Sequence, residues 1–172
     1  VDNDGTDVTD ICRGFKTQKV DIECSWANNG YLYWSEDDDN IYRVNITTKQ
    51  RETVARLSDF SGTKPSRIDN LKVSLDGTRG ACMVNGTSDG AFAFDFAAKV
   101  CTKIGSGCQG TVSPDGQLVT NNTGGGDGYS FHQIAYIRRF SDGSIAYKIT
   151  VNNAMSPSAA GTQRFAFQRF SH

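Results

Sequence analysis

Leucine is scarce in this chain, with only five in 172 residues, and tyrosine, phenylalanine, valine and isoleucine supply most of the large apolar side chains. Together with 18 glycines, this shortage argues against a helical protein and predicts many short strands joined by turns. The chain also has almost no net charge, because its 18 basic residues are balanced by 19 acidic ones. We therefore expect no nucleic-acid partner. No apolar run approaches the roughly 18 residues of a membrane helix, so we expect no membrane span.

Recognisable catalytic motifs are also lacking. The two histidines, His132 and His172, are not accompanied by the Gly-x-Ser-x-Gly turn that carries a nucleophile in many hydrolases. The glycine-rich run at residues 124–128 lacks the Lys-Ser/Thr end of a phosphate-binding loop. A binding or structural role is therefore favoured over catalysis.

The five cysteines and three Asn-x-Ser/Thr sequons favour an oxidising, extracellular or periplasmic compartment. The alternative is a cytosolic protein with inert buried thiols. Because the first residue is Val1, we expect a processed chain or a piece of a longer one. The glycosylation candidates, all expected at strand ends or turns, are Asn45, Asn85 and Asn121.

Disulfide connectivity stays open at this stage. The two local pairs that the spacing favours are Cys12 with Cys24 and Cys101 with Cys108. Cys82 would then be the odd cysteine, buried in a strand. No Cys-x-x-Cys pair is present, so a structural zinc site is not expected.

A group of four short strands recurs with a period of about forty residues, and a propeller blade has the same number of strands and the same length. The phase is set by one turn that appears twice, with Asp76-Gly77 in the first copy and Asp115-Gly116 in the second. A sandwich or a solenoid is the alternative. We expect an acidic segment over 1–18 and a partial propeller over 19–172. Its blades would cover about 19–57, 67–104 and 108–151, with the first strand of another at 163–170.

These turns resemble known repeats. Ser113-Pro114-Asp115-Gly116 and its variant at residues 74–77 resemble the WD40-like repeats of TolB-type propellers. Residues 28–43, with Tyr33-Trp34-Ser35-Glu36 at the signature, are similar to a YWTD repeat. The resemblance implies an all-β, propeller-like fold of about three four-stranded antiparallel blades plus one extra strand. It also implies an incomplete circle, since propellers close with more blades than this chain supplies.

Several residues are candidates for ligand contacts. Asp37 and Asp39 lie in an acidic turn that could hold calcium, although a solvated hairpin tip is the simpler interpretation, and no other cofactor is expected. Aromatic residues between 26 and 42 could stack on a glycan or pack between blades. Three residues precede the first strand of their units and are expected near a central channel: Arg67, Gln109 and Arg164.

The leading hypothesis is a secreted, glycosylated propeller module that binds or assembles without catalysis of its own. Its expected partners are other chains, including copies of itself, that complete or extend the propeller by pairing with its exposed blade edge. The alternative is the propeller portion of an extracellular hydrolase or lyase acting on peptides or polysaccharides. A third option is a subunit of an extracellular filament.

Overall fold

The computed structural model describes residues 25–35, 40–56, 65–86, 90–105, 110–123 and 134–150. Every regular element in these ranges is a β-strand. We call the three groups of four strands blades 1, 2 and 3. Blade 1 contains β1 (Ser25–Ala27), β2 (Tyr31–Ser35), β3 (Asn40–Asn45) and β4 (Arg51–Arg56). Blade 2 contains β5 (Pro65–Val73), β6 (Arg79–Gly86), β7 (Gly90–Asp95) and β8 (Val100–Gly105). Blade 3 contains β9 (Thr111–Val112), β10 (Leu118–Thr123), β11 (Ile134–Arg139) and β12 (Ile145–Thr150).

Each blade is an antiparallel meander in which strands follow one another in chain order. Short turns make this arrangement the natural one, because a tight turn can join only antiparallel neighbours. The all-β fold class of four-stranded antiparallel blades is therefore confirmed. The extra strand predicted at 163–170 lies outside the described residues, and so does the acidic segment at 1–18. None of the described residues forms a helix that could cross a bilayer.

The core lies between neighbouring blades. Between blades 1 and 2, large side chains such as Tyr33, Leu71 and Phe94 are fully buried. Between blades 2 and 3 the contact is built from smaller groups, with Ala81 and Ala91 of blade 2 packed in one cluster with Val119 of blade 3. Small residues on blade 2 let the third blade approach closely, which is why both faces of blade 2 are buried.

Two aromatic residues of blade 1 are buried, Tyr33 in the contact with blade 2 and Trp34 in a separate cluster within blade 1. Tyr33 is 0% exposed and Trp34 is 2% exposed. Tyr33 stacks on Phe96 of blade 2, and Trp34 stacks on Tyr42 with ring centroids 5.7 Å apart. Packing, and not an open platform for a glycan, is therefore the role of Tyr33 and Trp34; the side chain of Trp26 lies outside the description.

Candidate functional site

The connections between strands divide the molecule into two ends. In a meander, successive turns alternate between opposite ends of the sheet. The connections at residues 36–39, 57–64, 106–109 and 124–133 therefore leave from one end, and the turns that contain Gly77 and Gly116 lie at the other.

Four of the five ligand candidates from the sequence lie outside the described residues, namely Asp37, Asp39, Gln109 and Arg164. Arg67 lies in β5 next to the first of these ends, and only its backbone is described, opposite Asn85 of β6. Among the described residues, no group of three His, Cys, Asp or Glu side chains could hold a metal ion. The calcium and channel assignments remain predictions.

The opposite end carries the repeated Ser-x-Asp-Gly turn, and its geometry is described in full. In blade 2, Ser74 Oγ donates a 2.6 Å hydrogen bond to Asp76 Oδ1, which also accepts the Thr78 backbone N–H at 3.0 Å. Gly77 follows with φ +73°, a conformation that favours glycine. Burial by itself would raise the pKa of Asp76, but the hydrogen bonds from Ser74 and Thr78, with Arg79 nearby, hold the pKa below its usual value.

Blade 3 repeats the same turn. Ser113 Oγ donates to Asp115 Oδ1 at 2.5 Å, and the Gln117 N–H donates to the same oxygen at 2.9 Å. The Ser113 hydrogen bond is the main reason that the pKa of Asp115 is lowered. The carboxylates of the two motifs thus shape the turns through hydrogen bonds.

These turns also join the blades to one another. The Asn28 N–H of blade 1 donates to the Leu75 carbonyl at 2.6 Å, and the Leu75 N–H donates to the Pro114 carbonyl at 2.8 Å. Arg79 adds a side-chain bond from Nη1 to the Gly116 carbonyl at 2.9 Å. A line of hydrogen bonds therefore runs from blade 1 through blade 2 to blade 3.

Solved structures with the same arrangement include TolB from Acinetobacter baumannii, at TM-score 0.50 and 17% sequence identity over 72% of this chain. A putative TolB from Agrobacterium tumefaciens superposes at TM-score 0.53 and 15% identity over 76% of this chain. The chain has a TolB-like β-propeller fold. It spans only 30% and 45% of the length of those two proteins, and at such identities the likeness concerns the fold alone. No protein-family model and no curated protein matches the sequence.

Within this propeller, the sequons occupy different environments. Asn45 ends β3 at a turn, half-buried, and its Oδ1 accepts the N–H groups of Thr47 and Thr48 at 2.9 Å each. Asn85 lies in β6, and its side chain is outside the description. Asn121 lies inside β10, against the expectation that every sequon falls at a strand end or turn.

The Asn121 amide points into the contact between blades. The residue is 1% exposed, and a Cβ placed on Gly105 of blade 2 would collide with Asn121 Nδ2. Arg138 Nε donates to Asn121 Oδ1 at 3.2 Å. There is no room for a glycan on this amide in the folded chain, so Asn121 is corrected from a glycosylation candidate to a packing residue.

The cysteine predictions require one correction. Cys101 is a free thiol, so the predicted Cys101–Cys108 disulfide is not formed. The reason is orientation, because Cys101 lies opposite Phe94 and packs against the core between blades 1 and 2. Burial raises its pKa to about 11. Cys82 is free and fully buried, as expected for the odd cysteine, while Cys12, Cys24 and Cys108 lie outside the described residues.

A cleft of about 400 Å³ opens between blades 2 and 3 at the end that carries the described turns. Arg79 lines this cleft, but its guanidinium already contacts other groups of the protein. Besides its bond to Gly116, it lies 3.6 Å from an Asp95 carboxylate oxygen and 4.5 Å above the centre of the Phe140 ring. The Arg79 guanidinium in this cleft is therefore fixed by contacts with blades 2 and 3.

The most unusual surface is the side of blade 3 that points away from blade 2, which we call the open face. Ile145, Tyr147 and Ile149 alternate along β12 and are 49%, 64% and 47% exposed. The register places Tyr147 opposite Ile137 and Ile149 opposite Ala135, on this open face. We call Tyr147 and Ile149 the β12 strip; Ile145 lies opposite Arg138 beyond a bulge, and Arg138 points toward blade 2. The period-two spacing of the strip is visible in the sequence, but only the fold shows that it faces outward.

Among the outer strands of the described blades, β12 has three exposed large apolar residues, whereas β8 has one, Val100, at 52% exposed. On β8, the outer strand of blade 2, Ile104 is only 7% exposed because blade 3 covers it. On β4, the outer strand of blade 1, the exposed residues are Glu52, Thr53 and Arg56, and Glu52 pairs with Arg43 at 2.8 Å. Charges of this kind discourage unwanted strand pairing. β12 has one charged residue, Lys148, and three large exposed apolar ones.

Proposed function

We propose that this protein is a non-catalytic β-propeller module that acts by assembling with another polypeptide through the open face of blade 3. The observation that carries the proposal is the exposed β12 strip. Large apolar side chains grouped on one strand are a feature of association surfaces, and aromatic residues are enriched there. No described strand pairs with the outer edge of β12, and a second polypeptide can pair with the backbone groups of such an edge.

The partner that we propose first is a second copy of the chain. In a twofold dimer the same patch lies on both sides of the contact, so an apolar strip is self-complementary. The net charge of the chain is only −1, so electrostatic repulsion between two copies is small. A secreted or periplasmic setting is part of the proposal, supported by the sequon at Asn45. Asn45 is the glycosylation candidate whose described side chain lies at a turn and not in the core.

Light scattering coupled to size-exclusion chromatography tests the assembly. The wild-type chain is expected to elute above the 18.7 kDa mass of a monomer, at a mass that rises with concentration. Tyr147→Ser should return it to the monomer mass. Lys148→Ser is the matched control, because it introduces the same residue on the same strand with the opposite orientation. A folded wild-type monomer at all concentrations, or equal behaviour of the two variants, contradicts the proposal.

A further inference from the structure

The cleft between blades 2 and 3 has the size of a small-molecule site. Its volume is about 400 Å³, and both blades contribute to its lining. The large part of that lining is apolar and includes Ala93, Val100, Ile104, Val119 and Phe140. Its charged residues balance one another, since two are arginines and two are aspartates: Arg79, Arg139, Asp95 and Asp142. An uncharged ligand is therefore favoured over an ion.

The contact between blades 1 and 2 shows which side chain fills the equivalent place there. The strands β3 and β7 correspond, because each has six residues and is followed four residues later by a lysine with positive φ, Lys49 or Lys99. The fourth residue of the strand is Arg43 in β3 and Ala93 in β7. Blade 2 therefore presents a methyl group where blade 1 presents a long cationic side chain.

The neighbours of these two residues differ in the same direction. Arg43 lies opposite Tyr33 and Glu52 in the register, and it binds Glu52 at 2.8 Å. Ala93 lies opposite Ala81 and Thr102. The cleft is thus the space that the shorter side chains of blade 2 leave open.

The positions of a cation and a ring are exchanged between the two contacts. In blade 1, the Arg43 guanidinium carbon lies 4.2 Å from the centre of the Tyr31 ring. Tyr31 is paired with Asn45, and the residue paired in the same way with Asp95 in blade 2 is Arg79. Blade 2 therefore has its cation where blade 1 has its ring. An aromatic ring beside Ala93 would complete the pair with the roles reversed.

Arg79 is held in place before any ligand binds. Its Nη1 donates to the Gly116 carbonyl at 2.9 Å, its Nε lies 3.6 Å from Asp95, and its guanidinium carbon lies 4.5 Å from the centre of the Phe140 ring. These contacts still leave its side chain 27% exposed, and Arg79 lines the cleft. A fixed planar guanidinium can stack on an aromatic ring with little further loss of conformational freedom.

We propose that this cleft binds an uncharged aromatic ring, which stacks on the Arg79 guanidinium beside Ala93. The ring belongs either to a free aromatic compound or to a tyrosine side chain of a peptide, since both present the same chemistry. The site goes beyond the proposed assembly function. It lies on the side of blade 3 that faces blade 2, whereas the β12 strip lies on the open face.

Phenol and cyclohexanol are the probes, because they have the same number of heavy atoms and differ in aromaticity. Each is titrated into the isotope-labelled chain, and the amide chemical shifts in nuclear magnetic resonance spectra report both location and Kd. Phenol should shift the amides of Ala93, Thr102 and Phe140 and leave those of β2 unchanged. It should bind about threefold to tenfold more tightly than cyclohexanol, the range expected for a cation–π contact. N-acetyltyrosinamide distinguishes the sources: a lower Kd than that of phenol indicates a peptide, and an equal or higher Kd indicates a free compound.

Three variants locate the site. Thr102→Phe should place its own ring in the cleft and abolish phenol binding, because Thr102 lines the cleft from an exposed position. Lys103→Phe is the matched control, since it introduces the same residue on the opposite side of the same strand. Arg79→Lys keeps the charge but loses the planar group, so phenol should lose its advantage over cyclohexanol. Unchanged β2 amide shifts show that each variant is folded.

The outcomes that overturn the proposal are distinct. Equal affinities of phenol and cyclohexanol for the wild type overturn the aromatic assignment. Phenol shifts confined to Tyr147 and Ile149, or equal loss of binding in Thr102→Phe and Lys103→Phe, overturn the location. The absence of any phenol-induced shift overturns the proposal as a whole. Tyr147→Ser should bind phenol as the wild type does, so this result is independent of the mass measured by light scattering.

Discussion

Replacing Gly77 by alanine tests whether the Ser-x-Asp-Gly turn fastens blade 1 to blade 2. Gly77 has φ +73°, and a Cβ at this position would strike the Asn29 side-chain amide and come within 2.5 Å of the Tyr33 hydroxyl. Asn29 Nδ2 and the Tyr33 hydroxyl form a 2.8 Å hydrogen bond, and Tyr33 is fully buried. The added methyl group must therefore displace the Asn29 side chain and crowd the Tyr33 hydroxyl.

The expected cost has two parts. An L-residue at positive φ costs about 1 kcal/mol relative to glycine. Displacing Asn29 adds about 1 kcal/mol for the lost hydrogen bond, and more if Tyr33 shifts within the core. We expect Gly77→Ala to lower the free energy of unfolding by about 2–4 kcal/mol in total.

Gly143→Ala separates the two parts. Gly143 has nearly the same φ, +69°, but no atom lies within 4 Å of its added Cβ. This variant should lose only the conformational part, about 1 kcal/mol. Urea unfolding followed by circular dichroism measures both variants against the wild type. Equal losses for Gly77→Ala and Gly143→Ala would refute the reasoning, because the contact between blades would then contribute nothing.

Two further predictions concern titrating groups. Because the pKa of Asp76 is lowered in the folded state, its stabilising effect is complete above the unfolded pKa of about 4 and is lost as the pH falls toward the folded value. Asp76→Asn should therefore flatten the acid side of the stability curve measured by urea unfolding between pH 5 and pH 2, and a parallel curve would show that the Ser74 bond has no such effect. Burial raises the pKa of the Cys82 and Cys101 thiols, so iodoacetamide at pH 8 should modify them slowly in the folded chain and rapidly in urea, as followed by peptide mass spectrometry. Rapid native labelling of Cys82 would contradict its placement in the core.

Local chemistry made much of the fold predictable. The Asp76-Gly77 and Asp115-Gly116 turns each need a glycine that tolerates positive φ and a carboxylate that accepts a hydrogen bond from nearby backbone. Both requirements are met by adjacent residues, so the sequence alone shows them. Alternating apolar residues between such turns then specify strands, and tight turns specify an antiparallel meander. The four-stranded unit and its repetition follow from these short-range rules.

Which face of a strand meets water was not predictable in the same way. Asn121 belongs to a sequon, but it lies against Gly105 of another blade. Cys101 is near Cys108 in sequence, yet it packs beside Phe94. Both misreadings have one cause, since spacing along the chain does not reveal which partner each side chain turns toward.

The sequence by itself determined the repeating unit of this protein, because turn chemistry and period-two alternation act over a few residues. Only the tertiary structure decided how the units are used. The spacing of Tyr147 and Ile149 is like that of any buried strand, and they are exposed because no described element covers them. Burial is a property of what packs against a surface, and that information arises only when blades separated by tens of residues come together.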